Sequence, residues 1–255
     1  MILSRIGNKK SLAEKIYVYF TDHDIYFEPF FGAGGMFFNK PKKRHNILND
    51  FDDDVFNLFM VLTHNKEELL ESFIKLPLSE SLFKFWSDGN KENDKILKAV
   101  RFLFLSNFGF MGKLSTYRFG SFEFKNILLS RIEDTYKMII DGCEFSCQDF
   151  RNAFKKIGKD YNCLIYCDPP YLETVNNYNT PVFTEQDSMD LFDLLEGCEK
   201  KWFMSEYGHP FILDQVEKRK LNCIDIVNKK AISGRATEIL ITNQNLNIIN
   251  YEGLF

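Results

Sequence analysis

The chain of 255 residues is long enough to bury one sizeable core and carry an insertion, and its 16% aromatic content, including 27 Phe, excludes a disordered or fibrous protein. A formal net charge of -4 excludes a protein that coats polyanions through overall charge. Basic residues still cluster locally, in "KPKKRH" at 40–45, at Arg101, Lys113, Arg118, Lys125 and Arg131, in "EKRK" at 217–220 and in "NKK" at 228–230, each by default a solvated face. No apolar stretch is long enough to span a bilayer, and "MILSRIGNKK" lacks the apolar region of a signal peptide, so a cytoplasmic protein with no membrane partner is expected. The six Cys avoid the C-x-x-C spacing of zinc and redox sites and read as reduced core residues, with no metal.

In chain order, "KKSLAEKIYVYF" predicts a helix, because Leu12, Ile16, Tyr19 and Phe20 recur at helical spacing after a Ser. A strand signal, "IYFEPFFGAGG", follows at 25–35, then an apparent helix in "MFFNK" and a second strand in "HNILND" that ends at Asp50. Amphipathic helices are expected from Asp52 onward, and residues 56–135 are mostly helical by pattern. Strand-helix alternation resumes with "CEFSCQDF" at 143–150, the apolar run at 163–167 and "KWFMSE" at 201–206. "NCIDIVNKKAISGRATEILITN" reads as two antiparallel strands at a sheet edge. An α/β domain split by a helical insertion fits this order.

Two turns carry the chemistry. Gly32, Gly34 and Gly35 follow the first strand and allow a tight turn and close approach of a ligand, although their spacing is not G-x-G-x-x-G. Asp50 ends the next strand near the offset, roughly 20 residues, at which an acidic side chain meets ribose hydroxyls, which suggests an adenosine-containing ligand. The alternative for Asp50 is a helix cap, a role for which Asp52, Asp53 and Asp54 compete.

The second turn, "CDPPY", closes a strand that reads as buried on both faces, so Asp168 marks its carboxyl end, where open α/β sheets bind ligands. The bland alternative is a turn in which Asp168 caps local amides. The functional one is an exocyclic amine on a flat ring. Such an amine is a poor nucleophile, and the Asp168 carboxylate with the Pro169 carbonyl would accept its N–H bonds and localise its lone pair. Pro169 and Pro170 would hold these acceptors rigid, and Tyr171 offers a ring for stacking.

With "GNKKSLAEKI", "FEPFFGAGG", "ILNDF", "NFGFMG", "YCDPPYLETVNNYN" and "TEILITN" in this order, nearly the whole chain resembles the Dam-type DNA adenine-N6 methyltransferases of bacteria and their phages. The resemblance implies a Rossmann-like methyltransferase sheet with an antiparallel edge hairpin and a helical target-recognition insertion. It divides the chain into a catalytic domain, 1–52 and 136–255, and a recognition part, 53–135. It implies S-adenosylmethionine as methyl donor and double-stranded DNA as partner, bound by a monomer or by a dimer on DNA.

Residue by residue, Arg5 and Lys9 would contact the cofactor, with Arg5 standing where the family usually has an aromatic. Phe30, Gly32, Ala33 and Gly34 would form the methionine-side loop, Asp50 would hold the ribose and Phe51 would pack near the adenine. Asp168, Pro169, Pro170 and Tyr171 would receive the target base, with Asp168 also bordering the cofactor, and Tyr178 would help hold the flipped adenine. Asn107, Lys113 and Arg118 would contact the DNA. The family pattern in "FGFMGKLSTY" is only partly kept, with Ser115 where Arg is usual; the resemblance implies GATC or a related short palindrome as target, with Lys113 and Arg118 as the compensating candidates. Rival readings are a cytosine-N4 or glutamine-amide methyltransferase, or a DNA-binding homologue without turnover. The Pro-Cys pair of cytosine-C5 chemistry is missing.

Overall fold

The computed structural model describes residues 1–4, 7–109, 116–118, 122–158, 161–172, 181–231 and 234–246. Among these described residues, seven strands form one sheet: β1 (Ile25–Glu28), β2 (His45–Asn49), β3 (Cys143–Ser146), β4 (Cys163–Cys167), β5 (Lys201–Tyr207), β6 (Asn222–Ala231) and β7 (Gly234–Thr242). Their spatial order is β3-β2-β1-β4-β5-β7-β6. Neighbours from β3 to β5 are parallel, while β7 runs antiparallel between β5 and β6. The sheet and its edge hairpin therefore match the expected architecture, with a register irregularity between Asp225 and Val227 in β6.

Side chains alternate along each strand, so the sheet has two apolar faces. Tyr26, Leu48, Leu164, Tyr166, Phe203 and Leu240 belong to one core, and Phe27, Ile47, Ile165, Trp202, Met204 and Ile241 to the other. Besides α1 (Ala13–Tyr17), the helices in chain order are α2 (Asp53–His64), α3 (Lys66–Lys75), α4 (Glu80–Ser87), α5 (Lys95–Phe108), α6 (Phe122–Ile139), α7 (Phe150–Phe154), α8 (Glu185–Gly197) and α9 (Pro210–Lys218). Residues of α2 to α6 complete the first core, and residues of α7, α8 and α9 complete the second. Phe59 of α2 stacks on Phe145 of β3 at 5.3 Å and meets Phe31 edge-on at 5.0 Å. That core then runs without a break into Phe73, Phe83, Trp86 and Phe104 of the helical segment.

Several sequence expectations need correction. The opening helix is a 3-10 turn, Lys9–Ser11, followed by the short α1, because the Asn8 side chain accepts from Lys10 N and starts the turn locally. "MFFNK" forms only a 3-10 turn, Phe37–Asn39, with the Asn39 amide drawn back to the Gly35 carbonyl and Pro41 close behind. Not all six Cys are core residues: Cys163 and Cys167 are buried, but Cys223 on the outer strand β6 is exposed. Arg101 and Lys125, two of the clustered cations, are buried ties. Arg101 pairs with Asp54 at 3.6 Å, and Lys125 Nζ donates to the carbonyls of Ile74 and Leu76 at the end of α3.

Candidate active site

Strand order reverses between β1 and β4: from β1 the chain builds outward through β2 and β3, then crosses back to β4 and β5. The carboxyl ends of β1 and β4 are therefore neighbours at a topological switch point, the crevice where such sheets bind ligands. The two turns singled out in the sequence leave from those two ends.

The turn after β1 needs its glycines. Gly32 and Gly34 have φ of 53° and 70°, the left-handed region that side chains disfavour. A Cβ at Gly35 would stand 2.7 Å from Lys9 N, so this position lets the N-terminal segment lie against the turn. By contrast, a Cβ at Gly32 would meet nothing within 4 Å, and the backbone there faces open space. Gly32 N donates to Asp50 Oδ2 at 2.5 Å, while Asp50 Oδ1 accepts from Asp52 N at 2.8 Å. The cap of α2 falls to Asp52, which accepts from Asp54 N, so Asp50 is not the residue that caps this helix. Buried Asn49 binds the ends of three strands together: its Nδ2 donates to the carbonyls of Pro29 and Gln148, and its Oδ1 accepts from the Ser146 hydroxyl. Phe51 is 51% exposed, Ala33 is buried, and Phe30 packs between Phe150 and Phe183.

The turn after β4 is tied to the N-terminal segment. Lys9 Nζ lies 2.7 Å from Asp168 Oδ1 and 3.2 Å from Glu238 Oε1, with side-chain exposures of 5%, 21% and 3% for Lys9, Asp168 and Glu238. Asp168 is thus the member of the group that remains open. Tyr171 donates its hydroxyl to Glu238 Oε1 at 2.9 Å, presents its ring face to Lys9 at 4.8 Å and meets Tyr207 edge-on at 4.5 Å. Pro169 is buried and Pro170 half-buried.

Burial pushes the Asp168 carboxyl upward, and the adjacent Lys9 ammonium pulls against that shift. Lys9 itself is held above its ordinary value, since two carboxylates outweigh its desolvation.

Reasoning from the sequence missed three acidic residues at this edge. Glu28 ends β1, Glu206 lies near the end of β5, and Glu238 reaches the same edge because β7 runs antiparallel and pairs it with Tyr207. An acidic residue closing an apolar strand was a readable signal for Glu28 and Glu206. Desolvation raises both to about 8, so each holds its proton at neutral pH. Their folded-state values exceed the unfolded value near 4.5, so the stability they confer is complete below about pH 4.5 and is lost as pH rises through about 8. The unfolding free energy from urea titrations should accordingly fall between about pH 5.5 and 8, by up to about 1.4 kcal/mol per pH unit for each group. Glu206→Gln should flatten that slope; a variant with the wild-type slope would remove Glu206 from the account.

The remaining expected residues divide clearly. Asn107 does not face the crevice: it is 6% exposed and donates to the carbonyls of Ile2 and Leu103, which makes it a tie between α5 and the N-terminal segment. Arg118 is exposed, and its backbone N donates to Phe108 O beside a bridge between Gly109 and Tyr117. Tyr117 packs against Phe83 and so anchors this stretch. Arg5, Lys113 and Tyr178 lie outside the described residues.

A parallel sheet with an antiparallel outer hairpin, a glycine turn after β1 and an Asp-Pro-Pro-Tyr turn after β4 defines a Rossmann-like methyltransferase. Residues 6–238 match the family described as D12 class N6 adenine-specific DNA methyltransferase, and the chain belongs to that family. Among curated proteins it is similar to the DNA adenine methylase of Escherichia coli (strain K12), 26% identical over 214 residues that cover 76% of this chain and 75% of the relative. The DNA adenine methylase of Vibrio cholerae serotype O1 (strain ATCC 39541 / Classical Ogawa 395 / O395) is 27% identical over 213 residues, with the same coverage of 76% and 75%. The DNA N-6-adenine-methyltransferase of Escherichia phage P1 is 26% identical over 211 residues, 76% of this chain but 28% of that longer protein. The family's reaction places a methyl group on adenine N6 in DNA and requires a methyl donor. Among the described residues, no helix is long and apolar enough to cross a membrane.

Proposed function

We propose that this chain uses S-adenosylmethionine to methylate N6 of an adenine rotated out of double-stranded DNA, with Asp168 as the acceptor that activates the amine. The observation that carries this reading is the Asp168 carboxylate, held 2.7 Å from Lys9 at the switch point with 21% of its side chain open.

The residues at the first turn suit the donor. Open space at Gly32 admits it, Asp50 beside that glycine offers a carboxylate to ribose hydroxyls, and the exposed Phe51 ring offers a face to adenine. Phe30, Ala33 and Gly34 complete the loop on the methionine side. When bound, S-adenosylmethionine supplies an electrophilic methyl group on a sulfonium.

The protein's own part is orientation and charge. Asp168 accepts an N–H of the target amine and keeps the lone pair on nitrogen, and as positive charge grows on that nitrogen the fixed carboxylate stabilises it. Pro169 and Pro170 hold the acceptor in place, so little reorganisation is needed. Tyr171 and Tyr178 flank the base, and residues 53–135 engage the DNA, with Arg118 and Lys113 contacting phosphate or base edges. Unstacking the adenine costs a few kcal/mol, which these contacts offset.

Incubation with methyl-labelled S-adenosylmethionine and separate DNA, RNA and protein acceptors tests the proposal. Label on adenine N6 of DNA is expected, and no transfer to adenine in any DNA would overturn it. Asp50→Ala should raise the dissociation constant for S-adenosylmethionine by about tenfold to a hundredfold, the loss of a charge-assisted hydrogen bond. Calorimetric titration giving an unchanged constant would remove Asp50 from the cofactor site.

A further inference from the structure

Lys9 is shared rather than simply paired. Its ammonium has three N–H donors, and three acceptors surround it: Asp168 Oδ1 at 2.7 Å, Glu238 Oε1 at 3.2 Å and the Gly7 carbonyl at 3.2 Å. The Glu238 oxygen that faces Lys9 also receives the Tyr171 hydroxyl at 2.9 Å. Asp168, Lys9, Glu238 and Tyr171 thus form one connected group, drawn from the β4 turn, the N-terminal segment and β7.

This arrangement conflicts with the role proposed for Asp168, on which the inference rests. An oxygen that holds an ammonium is a weaker acceptor for an amine, and a cation beside it opposes the positive charge that grows on nitrogen during transfer. We infer that Glu238 is a positioning residue that takes over the Lys9 ammonium when the target amine reaches Asp168, so that the acceptor is released without leaving a buried cation unpaired. The ammonium already touches both carboxylates, so the exchange lengthens one contact and shortens another within the same cavity. No proton changes owner, and Lys9 stays charged throughout. Glu238 is well placed for this because its backbone is fixed in the sheet opposite Tyr207.

The test is Glu238→Gln, which keeps an acceptor for Tyr171 and removes the charge that receives Lys9. Among the described residues, the titratable groups close enough to act electrostatically on Asp168 are Lys9, Glu238, Tyr171 of its own turn, Tyr166 and Cys167 of β4, Glu206 and Tyr207 of β5 and Glu28 of β1. Among these, the substitution removes one negative charge, so the acid limb of kcat/KM should move to lower pH, by about one unit. At the plateau, kcat should fall about tenfold or more, with the dissociation constant for S-adenosylmethionine changed less than about twofold. Glu238→Asp keeps the charge on a shorter arm and should leave the acid limb in place while kcat falls. That variant also carries the test if the Gln variant loses cooperative unfolding. Wild-type kcat in either variant, or an acid limb that does not move in the Gln variant, would overturn the exchange. Adenine methylation by the unaltered protein is measured first; its absence would overturn the proposed function, whereas its presence with unaffected variants overturns the exchange alone.

Discussion

Replacing Asp168 with Ala should reduce methyl transfer to adenine by at least about a thousandfold, a loss of roughly 4 kcal/mol of transition-state stabilisation. The carboxylate is the open member of the buried group it shares with Lys9 and Glu238, so under the proposed function its loss removes the acceptor for the incoming amine. Binding of S-adenosylmethionine should stay measurable, because Gly32 and Asp50 sit on different strand ends from the substitution. Asp168→Asn separates charge from shape: it keeps an acceptor oxygen but not the negative charge, and its turnover should resemble that of the Ala variant. Single-turnover rates with equal quantities of bound cofactor make the comparison. A rate within about tenfold of the unaltered protein would remove Asp168 from the chemistry.

Lys9→Met should destabilise the fold by about 3–5 kcal/mol, a large part of the 5–15 kcal/mol typical of a folded domain. Lys9 is 4% exposed, and without its ammonium the Asp168 and Glu238 carboxylates would face each other in a buried site with no cation between them. The Asp168 carboxyl, already raised by burial, would rise further because the cation that lowers it is gone. A raised folded-state value gives stability that is full below the unfolded value and is lost as pH increases. The deficit of the variant should therefore be smaller near pH 5 than at pH 8. Urea unfolding at both conditions measures it, and an equal deficit at both would show that Lys9 contributes packing rather than charge balance.

The two turns were legible because their chemistry is local. Glycines after one strand and Asp-Pro-Pro-Tyr after another need only short-range reasoning about backbone freedom and strand ends. The sheet was legible for a similar reason: strands 25–28, 45–49 and 163–167 bury side chains on both faces, as central parallel strands do. What stayed hidden depends on distance along the chain. Glu238 lies in "TEILITN", yet its position beside Lys9 follows from the insertion of β7 between β5 and β6, which the local hairpin pattern does not encode. The burial of Asn107, Arg101 and Lys125 was equally hidden, because a polar residue in an amphipathic helix reads the same whether it caps a neighbouring element or meets a ligand. The opening helix failed for a local reason instead, since the Asn8 side chain starts a 3-10 turn that propensity alone would run into a longer helix.

The reversed direction of β7 also sets the order in which the site becomes complete during synthesis. Lys9 leaves the ribosome before any strand of the sheet, and Asp168 follows only after the helical segment and four strands. Glu238, the second partner of that ammonium, emerges when nearly all of the sheet has been made. A nascent chain that lacks β7 carries the Asp168 turn but not the second anchor for the Lys9 ammonium, so this buried group of charges is complete only once the hairpin closes the sheet.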